Sequence, residues 1–377
     1  MHIQRALLAT VCEKLELDHK GVMIYGPRQS GKTILSKEII ARFGLKTLEI
    51  NGDRTNYIDL ISSRDLNKIK LFLSDYQMLF VDEAQRIPEI GINLKIILDN
   101  FPDLKVLVTG SSSLDLASKI SEPLTGRTWT YRLFPISFLE LSTTMSKIEL
   151  LDNLEERLVY GSYPEIFSYN SFRQKQEYLQ NVLDAYLYRD MVEFGDIKNS
   201  AKIKSLLKLI AFQVGSEVSL TELGNTLEIS KDTVARYIDL LEKSYVIFRV
   251  KGFNRNLRKE VSKMDKIYFY DLGIRNILID NLKSLSDRND AGQLWENFLI
   301  IERMKRMAYR QTPASFYFWR THTGAELDCV EEKDGGLCGF EFKWGKKIAK
   351  APDSWGVSYP DSNFKCVNSE NFLDFIL

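Results

Sequence analysis

Cysteine and histidine are scarce in this chain of 377 residues, and a net charge is missing altogether. The four cysteines have no CxxC spacing and do not cluster with the three histidines, which argues against a zinc site and favours reduced thiols. Lys plus Arg equals Asp plus Glu at 51 each, so any basic surface for nucleic acid must be local. No apolar run approaches the length of a membrane span, and the first residues lack a signal-peptide pattern. We therefore expect a cytoplasmic protein of two or three domains with no membrane partner.

The clearest motif that is present is a short loop containing two glycines. A β-prone apolar run at 22–25 precedes it, and apolar residues with helical spacing follow at 34–43. The loop fits the phosphate-binding pattern GxxxxGK[ST] at every fixed position: Gly26, Pro27, Arg28, Gln29, Ser30, Gly31, Lys32 and Thr33. Between a strand and a helix, its backbone N–H groups and the helix dipole would bind the phosphates of ATP. Lys32 is predicted to contact the β- and γ-phosphates, and the Thr33 hydroxyl to bind Mg²⁺.

Two carboxylates follow a second apolar run, at 78–81. Asp82 is predicted to hold Mg²⁺ together with Thr33, and Glu83 to polarise the attacking water. A third apolar run, 105–108, ends in hydroxyl-bearing residues, of which Thr109 is assigned to the nucleotide site. Hydroxyls there would contact the γ-phosphate or the water, although a helix-capping role is nearly as plausible for each serine that follows.

The order of strands and helices up to about residue 145 predicts a parallel sheet covered on both faces, that is, an α/β fold. After it, Arg127 follows Gly126 on a predicted loop. It is either an arginine finger acting on a neighbouring subunit of a homo-oligomer or an ordinary surface arginine. Residues 150–200 are mostly helical, with a long amphipathic helix predicted at 176–194, and this is typical of a lid over a nucleotide.

A helix-turn-helix pattern is predicted between 203 and 241, with Thr233, Arg236 and Tyr237 facing outward. Two strands of a wing follow, at 246–250 and 266–270. Seven basic side chains lie between 249 and 266, against two acidic ones. This local excess favours DNA contact through residues 230–266. The alternatives are a solvated hairpin or a winged helix that contacts protein.

The last hundred residues contain a second candidate site. A tight turn at 334–336 predicts a hairpin that brings Asp328 opposite, or nearly opposite, Glu341. Glu341 and Lys343 then share one face, and Glu296 would approach from a helix. Such an E…D…ExK set is predicted to bind a divalent cation at Glu296, Asp328 and Glu341, with Lys343 as a catalytic residue of a nuclease. The alternative is a charged, solvent-exposed hairpin face.

Together these motifs resemble a large bacterial and archaeal family of AAA-type P-loop ATPases that carry a C-terminal domain of unknown function. The resemblance is carried by GPRQSGKT at 26–33, FVDEAQ at 80–85, TGSSS at 109–113, LTGR at 124–127, LFPISFLE at 133–140, YGSYPEIF at 160–167, LWENFL at 294–299, AELDCV at 325–330 and FEFKW at 340–344. It implies an AAA-type core, a helical lid, a winged helix and a restriction-endonuclease-like domain. We place these at 1–145, 146–200, 201–270 and 271–377.

Two functions compete at this point. In the first, the chain is an ATPase that controls a metal-dependent nuclease acting on DNA. In the second, it is a nucleotide-switched module that binds DNA or protein, and its nuclease-like domain is inactive. The intact acidic and lysine positions favour the first.

Overall fold

The computed structural model describes residues 3–54, 57–111, 124–184, 200–253 and 264–377. It divides into two compact units. The N-terminal unit holds the residues up to Ile136 together with 243–245, and the C-terminal unit holds 137–242 and 246–377. In the described residues, no helix has the length and apolar character needed to cross a bilayer.

A five-stranded parallel sheet organises the N-terminal unit, in the order β2-β3-β4-β1-β5. Its strands are β1 Gly21–Tyr25, β2 Thr47–Asn51, β3 Met78–Asp82, β4 Lys105–Gly110 and β5 Thr128–Arg132. Its helices are α1 Leu7–Leu17, α2 Lys32–Phe43, α3 Ile58–Ile61, α4 Leu66–Leu73 and α5 Ile90–Asn100. Every residue of β3 is buried, as expected of a central strand of a parallel sheet. The α/β fold class predicted from the sequence is confirmed.

The C-terminal unit combines helices with a six-stranded sheet in the order β11-β10-β9-β8-β6-β7. Its strands are β6 Ile247–Gly252, β7 Lys266–Phe269, β8 Ser315–Arg320, β9 Glu326–Lys333, β10 Gly336–Phe342 and β11 Asn363–Val367. Its helices are α6 Phe138–Leu141, α7 Lys147–Asp152, α8 Leu154–Tyr160, α9 Phe172–Val182, α10 Ser200–Phe212, α11 Leu220–Leu227, α12 Lys231–Lys243, α13 Leu272–Leu278, α14 Ala291–Tyr309, α15 Asp353–Ser358 and α16 Phe372–Ile376. The second half of the predicted helix at 176–194 lies outside the described residues.

The predicted hairpin between β9 and β10 is present. Lys333 pairs with Gly336 across a two-residue turn, and Asp334 and Gly335 both have positive φ, at 50° and 78°. Positive φ at both central residues suits a turn that follows the right-handed twist of the strands. The register therefore matches the sequence prediction for this pair of strands.

The two predicted wing strands belong to the same sheet as the last hundred residues. Strand β6 pairs antiparallel with β7 on one side and parallel with β8 on the other. The division after Ile136 lies near the predicted boundary at 145, and the predicted boundaries near 200 and 270 stay predictions. The pairing of β6 with β8 joins the segments 201–270 and 271–377 through backbone hydrogen bonds.

The predicted helix-turn-helix segment forms helices α11 and α12. Arg236 is exposed as expected, but Tyr237 is only 4% exposed, so the prediction that it faces outward is wrong. Its aromatic ring belongs to the apolar face of α12 rather than to the surface. Within the predicted basic stretch, Arg249 forms ion pairs with Asp239 and Glu242. Residues 254–263, which carry four of the seven basic side chains, lie outside the described residues.

Candidate functional site

The predicted nucleotide site lies at the C-terminal edge of the parallel sheet. Strand β1 runs into the phosphate-binding loop, and β3 ends at Asp82. Strand β4 lies between β1 and β3 and ends at Gly110. Because parallel strands bring their C-terminal ends to one edge, three motifs that are far apart in sequence meet there.

Two glycines give the phosphate loop its shape. A Cβ at Gly26 would lie 2.0 Å from the Leu133 carbonyl oxygen, so a side chain at that position would force the loop away from the strand end. Gly31, which caps α2, has φ of 94°, a conformation that glycine adopts without steric cost. The loop therefore needs glycine at these two positions for different reasons.

The Lys32 ammonium lies over the loop that it belongs to. It donates to the Gly26 carbonyl at 2.9 Å and to the Pro27 carbonyl at 2.8 Å, and the residue is 5% exposed. A buried ammonium held by neutral carbonyls is stabilised further when anionic oxygens come within reach. This arrangement holds a positive charge where the motif is expected to bind phosphate.

The Asp82 carboxylate connects the three strand ends. It accepts a hydrogen bond from the Thr33 hydroxyl at 3.0 Å, and a second from the Thr109 hydroxyl. Thr109 is fully buried, so its hydroxyl orients Asp82 instead of opening to solvent. The Thr33–Asp82 pair places a hydroxyl and a carboxylate oxygen side by side, which are ligands that Mg²⁺ accepts.

Glu83 has a backbone conformation rare for a residue with a side chain, with φ of 50° and ψ of 45°. Its Oε2 accepts hydrogen bonds from the Ser111 hydroxyl at 3.0 Å and from the Gln85 side-chain amide. That amide also donates to Ser111 Oγ at 2.8 Å, which closes a ring of three polar side chains. Left-handed backbone in a residue with a side chain occurs repeatedly at functional sites, where it aims that side chain.

A cavity of about 290 Å³ adjoins these groups. Thr33 and Asp82 form part of its wall, and Asn51, Arg54 and Tyr57 line it further out. It gives solvent a path to the side of the loop where the Thr33 and Asp82 side chains meet. The site thus has room for water beside the predicted ligands of Mg²⁺.

The residues present fit ATP and Mg²⁺. The loop has the close backbone approach at Gly26 and a buried ammonium at Lys32. The Ser30 hydroxyl is buried and has no hydrogen-bond partner among the described residues. These features suit a polyanionic ligand held by backbone N–H groups and one cation.

Sequence reasoning missed Arg5. It precedes α1, is 6% exposed, and donates to the Ser30 carbonyl at 2.5 Å and to the Phe134 carbonyl at 2.6 Å. It therefore ties the phosphate loop to the segment after β5 that also faces Gly26. A single arginine near the start of a chain has no motif around it, so the sequence carried no signal for this role.

We expect Arg5→Met to weaken ATP binding about tenfold or more, because charge-assisted hydrogen bonds to two loop-shaping carbonyls are lost. Arg5→Lys keeps the charge and one donor group, so it should recover part of the affinity. Dissociation constants and turnover numbers for both variants provide the check. A loss of thermal stability with unchanged nucleotide affinity would reduce Arg5 to a structural role.

Arg127 makes a two-point ion pair on the surface of its own unit. Its Nε lies 2.6 Å from Asp99 Oδ1 and its Nη2 lies 3.1 Å from Asp99 Oδ2. Both side chains are more than a third exposed, so water and other ions can compete for them. The guanidinium remains available to a stronger anion, and the finger role stays a prediction.

The carboxylates predicted as a second metal site lie in the C-terminal unit. Glu296, on α14, accepts from the Tyr268 hydroxyl at 2.5 Å and lies 3.2 Å from the Lys266 ammonium. The register of β9 and β10 sets Asp328 opposite Glu341, one step beyond the Cys329–Phe340 pair. These two carboxylates lie just past the last pair of the ladder on their strands, and the metal site predicted there stays a prediction.

Internal groups already bind these carboxylates. Asp328 Oδ2 accepts the Phe342 N–H at 2.7 Å, and Glu341 Oε1 lies 2.6 Å from Lys343 Nζ. Burial, with the neighbouring Glu296 and Glu341 carboxylates, raises the pKa of Asp328 to about 8. Across the part of the chain that the structure describes, no group of three or more His, Cys, Asp or Glu side chains is arranged to hold a metal ion. The donor set as built does not fit a metal.

Comparisons with known proteins match separate parts of the chain to separate families. Residues 18–142 match a family described as an AAA domain, and residues 151–285 and 291–354 match two domains of unknown function. An uncharacterized protein of Mycobacterium tuberculosis is 29% identical over 325 residues, which cover 85% of this chain and 70% of that protein. An uncharacterized protein of Methanocaldococcus jannaschii is 28% identical over 323 residues, 81% of this chain and 70% of that protein. Among solved structures, the chain is similar to a Walker-type ATPase of Pyrococcus abyssi, at 16% identity and a TM-score of 0.48, over 72% of this chain and 94% of that one.

The AAA match coincides with the parallel sheet, the phosphate loop and the acidic pair. The N-terminal unit is therefore a P-loop domain of the ATPase type. The two matches to domains of unknown function add no activity to the C-terminal unit.

Proposed function

We propose that this chain binds MgATP and hydrolyses it to ADP and phosphate. The observation that carries the proposal is a pair of oriented carboxylates beside the phosphate loop. Asp82 accepts hydrogen bonds from Thr33 and Thr109, and Glu83 accepts one from Ser111. A loop that only bound nucleotide would not need a buried hydroxyl to orient Asp82 or a hydrogen-bonded ring to hold Glu83. The arrangement matches the parts that phosphoryl transfer to water requires.

Each residue has a separate task in this mechanism. Lys32 would move from the loop carbonyls to the β- and γ-phosphate oxygens, where its charge offsets theirs. Thr33 and Asp82 would hold Mg²⁺, which supplies charge neutralisation between the phosphates when it is bound. Glu83 would orient the attacking water and accept its proton, while Gln85 and Ser111 hold the carboxylate in place.

The test is an ATPase assay on the full chain, with and without DNA. Lys32→Ala should abolish nucleotide binding and turnover, whereas Lys70→Ala, an exposed lysine on α4, should change neither. Wild-type protein that binds ATP but releases no phosphate under either condition would contradict hydrolysis. A rate that rises with DNA would support the coupling described next.

For the C-terminal unit we favour DNA binding through residues 230–266. Helix α12 begins with exposed Lys231 and carries exposed Arg236 one turn further on, next to the strands that flank the basic stretch. Arg249 and Lys266, by contrast, face carboxylates of their own unit and are not offered to phosphates. Fewer basic side chains are therefore available to DNA than the count of seven along the sequence indicates. We propose in addition that the chain acts as a homo-oligomer and that DNA bound to the C-terminal unit changes the rate of ATP turnover.

If this stretch contacts phosphates, DNA affinity should fall steeply with salt, because each contact releases condensed counterions. Neutralising Arg258 and Lys259 to Gln should weaken binding to all sequences alike and flatten the salt slope by roughly two contacts. Lys68 and Lys70, exposed on α4, provide the matched double variant, which should behave as wild type. Anisotropy across a salt series measures both slopes. Equal slopes for wild type and the Arg258/Lys259 variant would favour a protein partner.

We propose further that the segment around Asp328 and Glu341 binds a partner without cleaving DNA, because groups of the chain itself already bind these carboxylates. The wild-type chain should therefore cleave no DNA with Mg²⁺ or Mn²⁺. Cleavage that Glu341→Ala abolishes would instead assign a metal-dependent nuclease to this segment.

A further inference from the structure

Lys266 is a buried cation at the centre of the C-terminal carboxylates. Its side chain is 8% exposed, and its ammonium lies 3.2 Å from Glu296 Oε1. It also lies 5.5 Å from the centre of the Phe318 ring, so part of its surroundings is aromatic. An ammonium in such a place is retained because anionic partners surround it.

Three carboxylates act on this ammonium together. Burial alone would lower the pKa of Lys266, but Glu296, Asp328 and Glu326 outweigh it and raise the pKa. These carboxylates come from α14 and β9, whereas the lysine comes from β7. Carboxylates from two other elements thus act on the Lys266 ammonium, as they would on a bound cation.

Tyr268 fixes the same carboxylate from the same strand. Two residues after Lys266, and therefore on the same face of β7, it donates to Glu296 Oε1 at 2.5 Å. Lys266 and Tyr268 together direct two donors at one oxygen. A divalent ion bound through that oxygen would have to displace both.

We infer that Lys266 is the resident cation of this cluster and, paired with Glu296 and close to Asp328, occupies the place that a divalent ion would take. With Lys266 in place, the carboxylates bind an internal ammonium and take no Mg²⁺ or Mn²⁺. The nearby Lys343 neutralises Glu341 from the rim, where it is 38% exposed, and does not enter the buried part. This inference concerns the C-terminal unit and is independent of ATP hydrolysis.

The consequence is a specific gain of metal binding when Lys266 is removed. Carboxylate oxygens left without their ammonium form a site of the kind that Mn²⁺ accepts. Lys343→Met removes a lysine of the same neighbourhood but leaves Lys266 in place, so it should gain nothing. Lys266→Met and Lys343→Met each replace one lysine by methionine, and they differ only in which ammonium is lost.

The experiment counts Mn²⁺ bound to the nucleotide-free full chain by electron paramagnetic resonance, with Asp82→Asn in every protein to silence the phosphate-loop site. Lys266→Met should gain about one Mn²⁺ per chain, and adding Glu296→Gln should remove it. Mn²⁺ should also raise the melting temperature of Lys266→Met and leave that of the Lys266→Met/Glu296→Gln protein unchanged. A folded Lys266→Met protein that gains no Mn²⁺ would overturn the inference.

Removing Lys266 leaves Glu296 buried without a cation, so the single variant can fail to fold. The wild-type chain then decides the matter by comparison with Glu296→Gln alone. The inference expects both proteins to bind the same number of Mn²⁺ ions. One ion more on the wild type would mean that the cluster binds metal with Lys266 present, and the inference would be wrong.

Discussion

Glu83→Gln should stop ATP hydrolysis while leaving ATP affinity nearly intact. The substitution keeps the shape of the side chain and its place near Ser111 but removes the basic oxygen that accepts a proton from water. Loss of a positioned general base typically costs about 10²–10⁴-fold in rate. Lys32 and Thr33 are untouched, so the affinity should stay close to that of the wild type. Phosphate release and equilibrium binding of ATP, measured on the same protein, separate the two effects.

Glu89→Gln provides a matched control. Glu89 has nearly the same left-handed backbone, with φ of 52°, but it lies on the surface as an ion-pair partner of Arg64. The Glu89→Gln protein should hydrolyse ATP at the wild-type rate. Ser111→Ala should fall between the two, because the carboxylate keeps its basicity and loses one of its supports. Wild-type turnover in Glu83→Gln would assign the base elsewhere.

Arg127→Ala is expected to slow hydrolysis by roughly a thousandfold or more with little change in ATP affinity. A finger stabilises charge that develops during transfer, so its loss affects turnover more than binding. The Asp99 pair does not oppose this role strongly, because both groups are exposed. If the finger acts on a neighbouring subunit, mixing Arg127→Ala with Lys32→Ala protein should restore part of the activity.

Asp99→Asn separates the finger from the surface pair. It removes the carboxylate that holds Arg127 and leaves the guanidinium intact, so turnover should be retained or raised. If Arg127→Ala and Asp99→Asn instead lower the melting temperature equally and neither slows ATP hydrolysis, the role of Arg127 is limited to its surface ion pair. A finger that acts on a neighbouring subunit requires an oligomer. Sedimentation in the presence of ATP measures whether one forms.

The sequence predicted those parts of the site that depend on spacing within one segment. The phosphate-loop pattern fixes both Gly26 and Gly31 within eight residues, although the contact that requires glycine at Gly26 comes from the distant Leu133. Asp82 follows a fully buried strand, which an uninterrupted apolar run reveals. The position of Asp328 opposite Glu341 follows from counting outward from a tight turn. In each case the informative neighbours are within about a dozen residues.

The parts that escaped prediction depend on contacts between distant segments. Arg5 meets Phe134 across 129 positions, and no local pattern marks either residue. Lys266 was counted among surface charges, because only the fold brings it to Glu296. Tyr237 was expected to face outward as part of a helix-turn-helix pattern, whereas its side chain is buried on the apolar face of α12. Charge and polarity counted along a chain do not reveal which groups the fold has already paired.

The position of β6 between β7 and β8 bears on how this chain can be divided into working fragments. A cut near residue 270, at the predicted domain boundary, would remove β6 and leave β8 with a bare row of N–H and C=O groups. Open edges of this kind pair with other chains, so a fragment of 271–377 should aggregate. A fragment that begins at residue 137 keeps all six strands and the Lys266–Glu296 pair together. Any attempt to swap residues 201–270 between relatives has to exchange the whole sheet.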